Sequence, residues 1–236
     1  MSENIKKTTK SFKVDLDSSE NQNILKPSAR SSNNQAHQVN EVAEKIDKLI
    51  KNAQYSNDDI VLNHNKIKEA FFSPFKPQLK NAQAFLSHSH ADKNKALKVK
   101  GYLESETNRR VFIDSIFWDY KDDVLNELAK YDDTSKIKDA FTLILRESLQ
   151  DMIEKCPYFV FLESNNSVSD QGLSQTTHSA WIYEELKIAN TFIADTTLKE
   201  SHIKAMRVSH DITNLLRRFK PISLNGLCNE IFSTLL

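Results

Sequence analysis

Three stretches of this chain hold residue types whose spacing could do chemistry. In "AFLSHSHAD" a short apolar run ends in Ser87, His88, Ser89 and His90, with Asp92 just beyond. Two histidines two residues apart could begin a metal site. Zinc, however, needs three or four protein ligands, and the chain has neither HExxH nor CxxC. No metal is expected. A serine beside a histidine could be a nucleophile, but the GxSxG elbow that would expose it is absent. What remains is a polar turn facing a substrate, or a polar loop that happens to hold histidines.

The second stretch is "RRVFIDSIFWDY". Asp114 ends an apolar run, and Phe117 and Trp118 follow in what should be a loop. Flat side chains there could stack on a flat ring, or simply pack the loop or a self-association surface. The third stretch is "HSAWIYEELKIA". Ser179 can cap a helix on which Trp181 and Glu185, four apart, share a face. Ile182, Leu186 and Ala189 make an apolar stripe beside Glu185, which should face a rim rather than open water. Acids near a helix N-terminus also have an ordinary role, since they complement its dipole. Only three glycines occur, Gly101, Gly172 and Gly226. Walker and Rossmann phosphate loops are therefore absent, which excludes kinase, GTPase and standard dehydrogenase chemistry.

Strands and helices must position these groups. "AQAFLS", "RRVFID" and "PYFVFLE" read as strands. Residues 93–106, "KDAFTLILRESLQDMIEKC" and "SAWIYEELKIANTF" read as helices between and after them. "IKAMRV" is a weaker strand candidate, and "KPISL" leads into a last helix, "GLCNEIFSTLL". Such alternation predicts a parallel sheet covered by helices on both faces. Ligands of such sheets lie outside the carboxyl ends of the strands, so 87–90, 114–118 and 164–181 fall on one rim.

The chain has 236 residues, with 32 basic and 32 acidic side chains in balance. This gives no support for binding nucleic acid. Two cysteines, no leader-like apolar core and no run of about 18 apolar residues predict a cytoplasmic protein without a membrane span. Residues 1–35, including "SSENQNILKPSARSSNNQ", offer little to bury and are expected to be a disordered tail. Val39, Val42, Ala43, Ile46, Leu49, Ile50 and Ala53 recur at helical spacing. With a second apolar group closed by Pro74 and Pro77, they predict a helical extension over 36–81. The main domain is expected over 82–236.

Taken in order, the three stretches resemble the boxes of the Toll/interleukin-1 receptor (TIR) domain, bacterial members in particular. The likeness rests on "AFLSHSHAD", on "VFIDSIFW" before the loop often called BB, and on "FVFLES" followed by "SAWIYEEL". It covers about residues 82–223. The resemblance implies a flavodoxin-like α/β sheet of about five parallel strands. Many bacterial members cleave NAD between nicotinamide and ribose, some cyclise the ADP-ribose, and some serve antiphage defence. By that likeness Glu185 is the catalytic glutamate. Ser87, His88, Ser89, His90, Asp114, Phe117, Trp118 and Trp181 are the expected substrate contacts. NAD is the substrate, no further cofactor is implied, and self-association or a protein partner or effector is expected. The chain departs from the family in a BB segment, "SIFWDYKDD", that lacks Gly and Pro. The alternative implied by the same likeness is a non-catalytic TIR module that works by self-association. A receiver domain of the same fold class would want an acidic pocket where Ser-His-Ser-His stands.

Overall fold

The computed structural model describes residues 9–25, 39–52, 54–56, 59–61, 64–72, 82–114, 122–127, 129, 135–171, 174–193 and 209–233. They divide into two compact units. The first takes 1–32, 81–114 and 150–236; the second takes 33–80 and 115–149. No helix among the described residues is long and apolar enough to cross a membrane.

The first unit is built on a sheet of five parallel strands. In chain order these are β1 (Lys10–Asp15), β4 (Ala82–Ser87), β5 (Arg110–Ile113), β6 (Tyr158–Glu163) and β10 (Lys220–Pro221). Across the sheet they lie in the order β10-β1-β6-β4-β5. Parallel neighbours cannot be joined by a tight turn. Helix α4 (Lys93–Thr107) makes the crossover from β4 to β5. It stops at Asn108, whose φ of 50° is left-handed, a conformation asparagine tolerates. Glu104 Oε1 then accepts the backbone N–H of Val111 at 2.9 Å, tying the helix to the strand it feeds. Tyr158 to Leu162 of β6 are all buried. Successive strand residues point to opposite faces, so both faces of the central sheet are covered. Phe85 stacks on Phe159 at 5.5 Å, and Phe219 meets Phe159 edge-on.

The structure corrects the expectation of disorder over 1–35. Residues 10–15 form a strand inside the sheet, paired with β6 from Lys10↔Tyr158 to Asp15↔Glu163 and with β10 on its other side. Phe12, Val14 and Leu16 are buried at 4%, 0% and 1% exposure. Helix α1 (Ser19–Leu25) follows, and Asn21 Oδ1 accepts the Leu224 N–H at 3.0 Å. The main unit therefore does not begin at residue 82. The physical reason is that one apolar face is enough: Phe12, Val14 and Leu16 alternate along the strand, and the opposite face carries Ser11 and Lys13. Lys13 is half-buried against Glu163 at 3.4 Å.

Helix α6 (Ala180–Phe192) is held at both ends. Ser179 Oγ accepts the Ile182 N–H at 3.2 Å, the expected cap. At the other end the Arg218 guanidinium donates to Asn190 O, Asn190 Oδ1 and Ile193 O, satisfying carbonyls a helix leaves open. The loop before α6 holds β7 (Ser169–Gln171) and β8 (Ser174–Thr177), and β9 (His210–Asp211), which follows α6 in the chain, joins them in a small antiparallel sheet. Helix α7 (Thr213–Leu216) and helix α8 (Leu224–Ser233) flank β10. The strand expected in "IKAMRV" lies outside the described residues.

The second unit holds α2 (Val39–Lys51), a hairpin of β2 (Gln54–Ser56) and β3 (Asp59–Val61), and α3 (His64–Phe72). It also takes the part of α5 (Ser135–Lys155) up to residue 149. Ile46, Ile67, Phe71 and Phe141 are among its buried apolar residues, with Phe71 and Phe141 packed edge-on at 5.3 Å.

Candidate functional site

Strands β4 and β5 are neighbours in register from Ala84↔Val111 to Leu86↔Ile113. Their carboxyl ends therefore bring Ser87 and His88 beside Asp114. Helix α6 carries Glu185 to the same place. Glu185 is 0% exposed, and Ser87, His88 and Asp114 are buried with it. Ser87 Oγ donates to Glu185 Oε2. Asp114 lies within hydrogen-bond reach of Glu185 on its other side. His88 Nδ1 stands 2.7 Å from Asp114 Oδ1, an ion-pair distance with the ring N–H off the line to the oxygen.

Two carboxyl groups side by side have no proton to share unless one of them is protonated. One proton shared between them would serve Glu185 Oε1 and Asp114 Oδ1, which both stand buried without a hydrogen-bond partner. Burial holds the Glu185 carboxyl well above the usual carboxylate range, and the adjacent Asp114 pushes it further up. The Ser87 hydroxyl acts the other way, because it favours the ionised form. The arrangement can hold one proton among buried groups.

A second polar group lies along the same rim. Asp92, 2% exposed, accepts Ser164 Oγ and, at 2.9 Å, Asn166 Nδ2. Lys95 Nζ bridges Asp92 Oδ1 at 3.6 Å and Asp17 Oδ1 at 2.9 Å. Asp17 in turn accepts the Asn165 N–H at 3.1 Å. The pair with Lys95 holds the Asp17 carboxyl below its ordinary range, and Lys95 is raised by the same bond. This group ties the ends of β1, β4 and β6 together. Of its members, the sequence points only to Asp92 and the span beginning at Ser164 as near the rim.

Of the expected site residues, the structure joins Ser87, His88, Asp114 and Glu185. Ser89 is half-buried and precedes a 3-10 turn (His90–Asp92) without capping it through its side chain. His90 is exposed and does not converge with His88. The strand ends at Ser87 and the turn begins at His90, so the two-residue spacing loses its strand meaning there. Trp181 is half-buried one helical turn before Glu185. Phe117 and Trp118 lie outside the described residues. Among the described residues no three of His, Cys, Asp and Glu converge as a metal-ion set. No protein-family model, curated protein or solved structure matches this chain.

Proposed function

We propose that this chain is a TIR-like enzyme that cleaves NAD at the nicotinamide–ribose bond, with Glu185 as the catalytic carboxylate. The observation that carries the reading is a fully buried glutamate held by Ser87 at the carboxyl end of β4. Such a group suits the chemistry. Nicotinamide leaves with the C1′–N bonding pair, turning from a cationic ring into a neutral molecule, so it needs no general acid. The ribose left behind has oxocarbenium character, as in glycoside hydrolysis. A carboxylate in a water-poor site stabilises that cation far better than one in water. The approach of the cationic substrate favours loss of the Glu185 proton, because an opposite charge lowers a carboxyl pKa. Attack by water then gives ADP-ribose and a proton; attack by the adenine ring gives a cyclic product. Trp181, one turn away, is positioned on the same helix face to flank a ring. We assign the same fold family to the sheet. The strand order would be the flavodoxin-like one with its fourth place taken by β1. A role in bacterial defence or stress signalling in the cytoplasm goes with this reading.

One observation favours a second reading, a non-catalytic module acting by self-association: the Glu185 carboxyl is closed off at 0% exposure. Incubating the full chain with NAD at high protein concentration separates the two. Nicotinamide release by the wild type and none by Glu185→Gln supports the enzyme. No release by the wild type, or equal release by both, refutes it.

A further inference from the structure

The resemblance makes His88 and Asp114 substrate contacts; the structure buries both beside Glu185, at 3% and 4% exposure. Their neighbours are each other and Glu185. Asp114 stands between the two, 2.7 Å from His88 Nδ1 and within hydrogen-bond reach of Glu185. We propose that His88 and Asp114 are a positioning pair for Glu185: the imidazole holds Asp114 in place, and Asp114 fixes the direction of the Glu185 carboxyl and governs when it releases its proton. The inference rests on the reading of Glu185 as the reacting carboxyl.

The proton balance follows from the groups present. Two carboxyls, one imidazole and one hydroxyl share this pocket. The hydroxyl of Ser87 donates to Glu185 Oε2 and cannot serve Asp114 with the same proton. One proton between Asp114 and Glu185 satisfies both, with the His88 imidazole 2.7 Å from Asp114 Oδ1. Among the described residues, the titratable and charged groups that other elements bring to α6 are engaged elsewhere. His210 of β9 stacks on Tyr183 at 4.5 Å, and Arg218 is held by Asn190 and Ile193. Besides the Ser87 hydroxyl, the titratable neighbour of Glu185 among the described residues is thus Asp114, and that of Asp114 is His88.

The two partners should act with opposite signs. Like charges raise a carboxyl pKa and a nearby cation lowers it. Asp114→Asn removes the like charge, so the Glu185 midpoint should fall. His88→Gln removes the imidazole 2.7 Å from Asp114, a group that can take up a proton, and puts an uncharged amide there, so the midpoint of the carboxyl pair should rise. Each shift should be about 1 pH unit, the low end for a close charged neighbour. The test is a carboxyl carbon NMR titration of the full chain with labelled glutamate, the Glu185 signal being the one lost in Glu185→Gln. A fall in Asp114→Asn with a rise in His88→Gln supports the pair. Unchanged midpoints, or shifts of the same sign, overturn it. If Asp114→Asn fails to fold, His88→Gln decides alone: a rise supports the proposal, and no change or a fall overturns it. This readout needs no NAD. A wild type that releases no nicotinamide removes the enzyme reading, while the titration judges the positioning pair by itself. Where nicotinamide is released, the acid limb of its pH profile should move with the NMR midpoint in both variants, which a purely structural role would not produce.

Discussion

Replacing Glu185 with glutamine should make the protein more stable, by an amount that grows with pH. Glu185 is 0% exposed, and burial beside Asp114 raises its carboxyl well above its ordinary value of 4.5. The folded chain therefore keeps a proton that the unfolded chain gives up above about 4.5. Where the unfolded state binds fewer protons, stability falls as pH rises. The contribution is full below the unfolded pKa and is lost as pH climbs toward the folded one. The slope is about 1.4 kcal/mol per pH unit for one retained proton. A glutamine at this position carries no such proton. Its amide oxygen can still accept from Ser87, and its NH₂ can donate to Asp114, the donor that the wild type lacks once its proton is gone. Between the unfolded and the folded pKa the variant should gain on the wild type at up to that slope. For a chain of this size each pH unit in that window is about 3–6 °C in Tm. Denaturant unfolding of both proteins at pH 5, 6 and 7 measures the difference. A difference that stays flat across this range would refute the buried-proton account, whatever its size.

Three further outcomes follow from named contacts. Ser87→Ala removes the one bond that favours ionised Glu185, so its carboxyl titration should move up by about 1 pH unit, in NMR and in any acid limb of activity. Deleting residues 1–18 removes β1 with Phe12, Val14 and Leu16; at about 2 kcal/mol for each buried side chain the loss is about 6 kcal/mol, much of a typical domain's stability. The truncated chain should lose its cooperative melt in circular dichroism, whereas trimming a disordered tail would leave the melt unchanged. Asp92→Ala strands the Ser164 hydroxyl and the Asn166 amide and should cost about 2–4 kcal/mol, but Lys95→Met, whose side chain is 43% exposed, should cost less than about 1 kcal/mol; equal costs in denaturant unfolding would contradict the burial difference.

What the sequence showed, and what it hid, follows from where each residue spends its energy. "AFLS", "VFID" and "FVFLE" are buried on both sides, so their residues are apolar up to the polar one that ends each, and the strands stand out. Because the sheet is parallel, their carboxyl ends share a rim, and a four-residue spacing on α6 was enough to bring Glu185 toward it. Polar residues at strand ends carry no period, so nothing in the sequence marked the bond from Ser164 to Asp92 or the reach of Lys95 to Asp17. His88 and His90 looked equivalent until the change from strand to 3-10 turn buried one and exposed the other. The N-terminal strand was hidden differently. Its signal, Phe12-Val14-Leu16, is only three apolar residues long and sits in a polar stretch whose composition suggested disorder. Yet a sheet that needs a strand between β6 and β10 gains six paired residues from it. The alternation near the N-terminus thus has its place in the sheet: the position between β6 and β10 is filled from the start of the chain.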